Sequence, residues 1–325
     1  MDIIIVTVKL NNYNSTFFGI TLNISTKATW FLILVTVLWG ATFPLIKSAI
    51  TTINPNAFVA IRLMIAAITF FPFILHKTPK TTSSILKGAL ILGLFESLCY
   101  ICQTMGLQTI SSANSAFITA FSVVLVPFIS PFFGLAKPTK TDIFASLTCL
   151  FGIFILTGAK ISHINTGELW SLGCALTYAF SISYLQHITL KIKQNLILLV
   201  GFQILFSIPL PVIISFTHPW HITLTPILII ALIFCGSFST CLTFFLQSKY
   251  QNKISINKAA LIYAFEPVFA TVFAYLINGE AIYKSTIIGG TLVFISFMVS
   301  QFSHLFTHIV KNIWQKIYGY ILLLS

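Results

Sequence analysis

Charge is what this chain has least of. Of its 325 residues only 7% are charged, and only six are acidic. Soluble domains carry about 25% charged residues, so a water-soluble globule is excluded. With 57% apolar residues and a mean hydropathy of +0.97, the chain reads as a polytopic membrane protein. It also lacks a phosphate-binding glycine loop, a nucleophile–base–acid set and a metalloprotease helix. No apolar stretch is separated from the next by more than about a dozen residues, the short-connection range, which leaves no room for a soluble catalytic domain. An enzyme and an ATP-driven pump are therefore not expected, and neither is a cofactor. The six cysteines lie within or beside apolar stretches, which excludes an extracellular disulfide framework. Cys99 and Cys102 form a CxxC inside one stretch and read as packing, since a free cysteine behaves as a small hydrophobe.

What is present is a succession of ten apolar stretches, at 29–50, 57–75, 85–107, 112–134, 142–159, 168–187, 195–216, 225–247, 256–277 and 284–303. Each is close to the ~20 residues that cross ~30 Å of hydrocarbon as a helix. The fold class expected is all-α. Residues 1–28 read as a loop-like cytoplasmic leader, and 304–325 as a cytoplasmic or interfacial tail in which Trp314 and Tyr318 stand between lysines. The net charge of +12 would suggest nucleic acid in a soluble protein. Here the lysines cluster in alternate connections, such as Lys77, Lys80 and Lys87, then Lys137 and Lys140, then Lys249, Lys253 and Lys258, while the opposite side keeps Lys160 and Lys284. That asymmetry puts both termini in the cytoplasm and makes topology, not nucleic acid, the meaning of the charge.

An offset of 144 aligns the halves: Gln103 falls on Gln247, Ser111 on Ser255, Ala120 on Ala264 and Phe121 on Phe265. Five spans per unit would insert the second unit, 168–303, with opposite orientation to the first, 29–160. Inverted repeats of this kind are a transporter architecture with a site near the midplane.

Intramembrane polar groups point to that site. Glu266 and Pro267 stand together in the ninth stretch, and Glu96 and Gln103 lie about two turns apart on one face of the third. Arg62 must find water, a carboxylate or an anionic solute, because its guanidinium stays charged. Lys47 could snorkel to the surface or touch solute. Trp39, Tyr178 and Gln247 complete the candidate pathway, and Pro44, Pro127 and Pro267 are the expected helix kinks. Glu280 is expected to favour the positive end of the tenth helix. His218 with His221, and His304 with His308, have metal-like spacing but no third ligand, so no metal is expected.

WGATFPLIK, FVAIRL, GLQTISSANSAFITAFSVVLVP and FEPVFATVFAYLINGEAIYKSTIIGG resemble the EamA branch of the drug/metabolite transporter superfamily. The resemblance implies a ten-helix carrier of two inverted five-helix repeats, working by alternating access. Its members move amino acids, metabolites or drugs, commonly by proton coupling or exchange. It maps the family's tryptophan–glycine, lysine and arginine positions onto Trp39, Gly40, Lys47 and Arg62, and its glutamate–proline pair onto Glu266 and Pro267. Leu135-Ala136-Lys137 departs from the family's usual Gly-Glu after the fourth helix, and Glu96 lies outside the pattern. The expected function is secondary transport of a small organic solute across a bacterial inner membrane. A nucleotide, cofactor or other anion exchanger and a non-transporting membrane assembly protein are the alternatives. The partners expected are the solute and the lipid bilayer, with a homodimer open and no nucleic acid.

Overall fold

The computed structural model describes residues 15–299 apart from 18–19, 23, 76–81, 136, 158–164, 193–194, 218, 220 and 297. The tail 304–325 with its two histidines, most of the leader, His218, and the loop lysines Lys77, Lys80, Lys160 and Lys193 lie outside those residues.

Helices dominate because an apolar chain in lipid must satisfy its backbone within each segment. The helices are α1 (Ile24–Ala49), α2 (Pro55–Leu75), α3 (Ser83–Leu107), α4 (Ser112–Thr119), α5 (Ser122–Ile129), α6 (Lys140–Thr157) and α7 (Thr166–Lys191). They continue as α8 (Leu196–Ser207), α9 (Pro209–Ser215), α10 (Pro226–Ile233), α11 (Thr243–Tyr250), α12 (Ile256–Tyr263) and α13 (Glu266–Asn278). The last is α14 (Lys284–Ser296). A π-helical segment, Phe234–Leu242, joins α10 to α11. Among the described residues, six helical runs are long and apolar enough to cross a membrane.

Two expectations are corrected. The leader is not wholly loop: β1 (Ser15–Phe17) and β2 (Ile20–Leu22) pair antiparallel, Thr16 opposite Thr21, and α1 already begins at Ile24. The ninth stretch is not a helix kinked at a central proline. It is two helices, with the break at Ala264–Phe265 and Pro267 in the first turn of α13, where the missing N–H costs nothing. The fourth stretch breaks likewise, at Ala120–Phe121, ahead of Pro127. Pro44, by contrast, sits inside the uninterrupted α1.

Local signals start the helices where they start. Ser111 Oγ accepts from Asn114 N at 3.1 Å and Ser255 Oγ from Lys258 N at 3.3 Å, as N-caps. Asn165 and Glu168 close a capping box on α7. Helix α3 packs along α7 and α8, and α1 along α13. The distribution of polarity is inverted relative to a soluble protein: Arg62, Glu96 and Gln247 are buried while Ile68, Phe71 and Phe132 are exposed. An apolar exterior around a polar interior is the arrangement a bilayer solvent favours.

Candidate functional site

The interior polar groups converge on one small cavity of about 30 Å³. Trp39 and Thr42 reach it from α1, Arg62 from α2, and Glu96, Cys99, Tyr100 and Gln103 from α3. Thr119 reaches it from the end of α4, Cys174 and Tyr178 from α7, and Glu266 from the start of α13. The wall therefore includes the second stretch, and the eighth contributes from behind it.

Arg62, the chain's only arginine, is 1% exposed and does not snorkel. Its guanidinium lies over the Tyr100 ring, 3.8 Å from the centroid, a cation–π geometry. Nε donates to Thr240 Oγ1 at 3.0 Å and Nη2 to Ser239 Oγ at 3.5 Å. Both hydroxyls belong to the π-helical segment, whose wide turn is itself held by Thr240 Oγ1 donating to Cys235 O at 2.7 Å. π-helical turns concentrate at functional sites. Gly236 in the same segment lets α2 close in, since a Cβ there would stand 2.8 Å from Arg62 O. Nη1 has no hydrogen-bond partner, and no carboxylate among the described residues forms an ion pair with this guanidinium.

The carboxylates are held differently. Glu96 Oε1 accepts from Ser181 Oγ at 2.6 Å, and Arg62 lies near enough for its charge to act on Glu96. Glu266 is buried at 6% exposure. It is placed by Gly40, where a Cβ would meet Phe269 Cβ at 2.6 Å and Glu266 O at 3.1 Å, so α1 and α13 touch backbone to backbone. Trp39 Nε1 donates to Ser239 O at 3.2 Å and Thr243 Oγ1 at 3.1 Å. Its ring meets Tyr178 edge-on at 5.6 Å and Tyr263 at 5.4 Å.

The wall is not self-satisfied. Arg62 Nη1, Gln103 Oε1, Thr119 Oγ1 and the Tyr178 hydroxyl are all buried without a partner. An unsatisfied buried donor or acceptor costs about 1–3 kcal/mol, more when charged, so such a cluster marks a place where something else binds.

The cavity thus gathers Trp39, Arg62, Glu96, Gln103, Tyr178 and Glu266 from the expected pathway, and leaves out Lys47 and Gln247. Lys47 is at one end of the bundle, where Nζ donates to Ile110 O at 2.5 Å and Leu107 O at 3.4 Å, closing the C-terminus of α3. At the same end, Glu280 accepts from Ser112 N at 3.0 Å and from Ser112 Oγ at 2.5 Å. Its partner is therefore the N-terminus of α4, not that of α14, because the loop folds back over the bundle. Asn278 Nδ2 donates to Pro44 O at 3.1 Å and its Oδ1 accepts from Ser48 at 2.7 Å, so α13 is tied to α1 there.

Gln247 is at the opposite end, in a buried amide cluster. Its Nε2 donates to Gln251 Oε1 at 3.1 Å, which also accepts from the Tyr263 hydroxyl at 3.0 Å. Gln251 Nε2 in turn donates to Ile182 O at 3.0 Å and Gln186 Oε1 at 3.3 Å. Trp170, eight positions before Tyr178 in the sequence, is 41% exposed and shares no wall with it. Sequence reasoning missed Tyr100, Thr119, Cys174 and Ser181. Only Tyr100 carried a signal, lying one helical turn beyond Glu96. Among the described residues no group of histidine, cysteine or acidic side chains could hold a metal.

With this geometry in view, the comparisons with known proteins are consistent in kind. The model of the EamA-like transporter family matches twice, at residues 26–158 and 165–301. A protein named "Uncharacterized transporter" from Archaeoglobus fulgidus is 28% identical over 268 residues, covering 82% of this chain and 83% of its own. "Uncharacterized transporter YoaV" of Bacillus subtilis is 27% identical over 292 residues, covering 84% of this chain and 96% of its own. A crystal structure with 16% identity superposes at a TM-score of 0.64 over 84% of this chain and 96% of the other. The last is a likeness of fold alone.

Proposed function

The chain belongs to the EamA-like transporter family, and from that premise we propose that it is a secondary transporter that binds a small organic solute in the polar cavity and moves it by alternating access. It is a multi-pass membrane transporter and not an enzyme. In this reading ten spans cross the bilayer, α4 with α5, α8 with α9, α10 with α11, and α12 with α13 each making one. They form two five-span repeats, 29–160 and 168–303, inserted in opposite orientations, and the double family match supports the duplication. The lysine asymmetry supports both termini in the cytoplasm of a bacterial cell, with the protein in the inner membrane.

Rocking of one repeat against the other opens the cavity to each side in turn. Trp39, Arg62, Glu96, Gln103, Tyr178 and Glu266 form the binding wall. Lys47 and Gln247 lie on the pathway at its two ends, inside the hydrogen-bonded closures that must part for solute to pass. Arg62 Nη1 takes an anionic group of the solute. Glu96 and Glu266 take either a cationic group or the coupling proton. One observation carries the reading: a cavity in the middle of the bundle whose wall holds partnerless buried polar atoms from α2, α3, α4 and α7.

Proteoliposomes loaded with a panel of labelled amino acids, nucleotides and cofactors test it. Flux of one class that rises with an imposed pH gradient and vanishes in Arg62→Ala is the expected result. No flux for any class in either direction defeats the reading. The free Nη1 also favours a second reading, an anion exchanger, for which flux would need a counter-solute and ignore the pH gradient.

A further inference from the structure

Two cysteines that sequence spacing does not associate meet in the cavity wall. Cys99 of α3 and Cys174 of α7 stand Sγ to Sγ at 3.5 Å, 75 positions apart in the chain. Both are free thiols, both are buried, and both line the solute cavity. They are held together by an unusually close helix pair. A Cβ on Gly106 of α3 would stand 2.6 Å from Ser171 Oγ and 3.1 Å from Gly167 O of α7. Two thiols in contact at the cavity are reached together by any water-sized oxidant that enters it.

We propose that Cys99 and Cys174 form a reversible disulfide when a hydroperoxide enters the cavity, stapling α3 to α7. One thiol loses its proton to water, and its sulfur attacks an oxygen of the hydroperoxide. An S–O bond forms, the O–O bond breaks, and water or an alcohol leaves, giving a sulfenic acid. The second thiol attacks that sulfur, the S–S bond forms, the S–O bond breaks, and a second water leaves. Two thiols are oxidised to one disulfide and the hydroperoxide is reduced. Helix α3 lies in the first matched unit and α7 in the second. Under the alternating-access reading, on which this consequence alone rests, the bond ties the halves together and arrests transport.

The test reads the bond itself. Full-length protein in proteoliposomes is treated with hydrogen peroxide, remaining thiols are alkylated after denaturation, and the digest is analysed by mass spectrometry. A Cys99–Cys174 linked peptide is expected as the dominant product. It should disappear on dithiothreitol treatment, persist in Cys102→Ala, and give way to scrambled pairs when the protein is denatured before oxidation. Full alkylation of both cysteines after peroxide, or equal yields of linkages to Cys102 or Cys149, overturns the proposal. Neither outcome depends on a transport assay, so failure here leaves the transport reading standing. A peptide that forms without blocking flux counts instead against the rocking of the halves.

Discussion

The chain contains the same broken helix twice, and the two copies do not do the same thing. Helices α4 and α12 span Ser112–Thr119 and Ile256–Tyr263, the same interval displaced by the 144 residues that align the sequence. Each is capped by a serine, Ser111 or Ser255, and each breaks at an alanine–phenylalanine pair. Each run also ends near a glycine in the left-handed region, Gly134 at φ 72° and Gly279 at φ 62°. Across the break the correspondence turns chemical. Ser122 opens α5, buried at 1% exposure with its hydroxyl unpartnered, whereas Glu266 opens α13 and faces the cavity. Backbone geometry has been kept in both copies while only the second delivers a carboxylate to the solute space. Gln103 and Gln247 diverge in the same way, one leaving an unpartnered oxygen at the cavity, the other absorbed into an amide cluster. At these two equivalent breaks, a repeated frame with unequal side chains delivers one carboxylate in place of two.

Transplanting the carboxylate to the first copy should have the largest effect. Ser122→Glu puts a charge where the cavity does not reach, at a penalty of several kcal/mol, and should remove folded protein from the membrane. Size-exclusion profiles in mild detergent would check it. A well-folded variant would mean that the first copy also reaches water. Removing the carboxylate from the second copy, by Glu266→Gln, should leave the fold intact and abolish the response of flux to a pH gradient, measured in proteoliposomes. Gly40→Ala tests the seat of the second copy on α1. The added methyl meets Phe269 Cβ at 2.6 Å, and overpacking of this kind lowers stability by about 1–3 kcal/mol, visible as a fall in the unfolding temperature. Smallest are the caps: Ser111→Ala and Ser255→Ala should each lower stability by about 1 kcal/mol, and equally if the copies are equivalent in frame.

Much of this was legible beforehand where the cause is local. The apolar stretches became helices because backbone groups in hydrocarbon have no other partner. Ser111 and Ser255, aligned by the 144-residue offset, turned out to cap equivalent helices, their hydroxyls reaching an amide three residues on. Glu96 and Gln103 reached one cavity because two turns of helix return to one face. The misses share a different cause. Pro267 suggested a kink, but the chain broke earlier and spared itself the lost hydrogen bond. Glu280 has a helix N-terminus four residues ahead, yet it binds Ser112, 168 positions away.

Hydropathy and the scarcity of charge were enough to indicate a multi-pass helical protein and to single out its intramembrane charges, and the EamA-like segments pointed to a transporter family. Which of those charges share a space was decided by packing alone. Arg62 is steadied by hydroxyls 177 and 178 positions away, and Cys99 meets Cys174 only because α3 and α7 lie together. Helix formation depends on neighbours within a turn or two. A binding wall depends on which faces of distant helices exclude lipid from one another, and that choice is made by the assembled bundle.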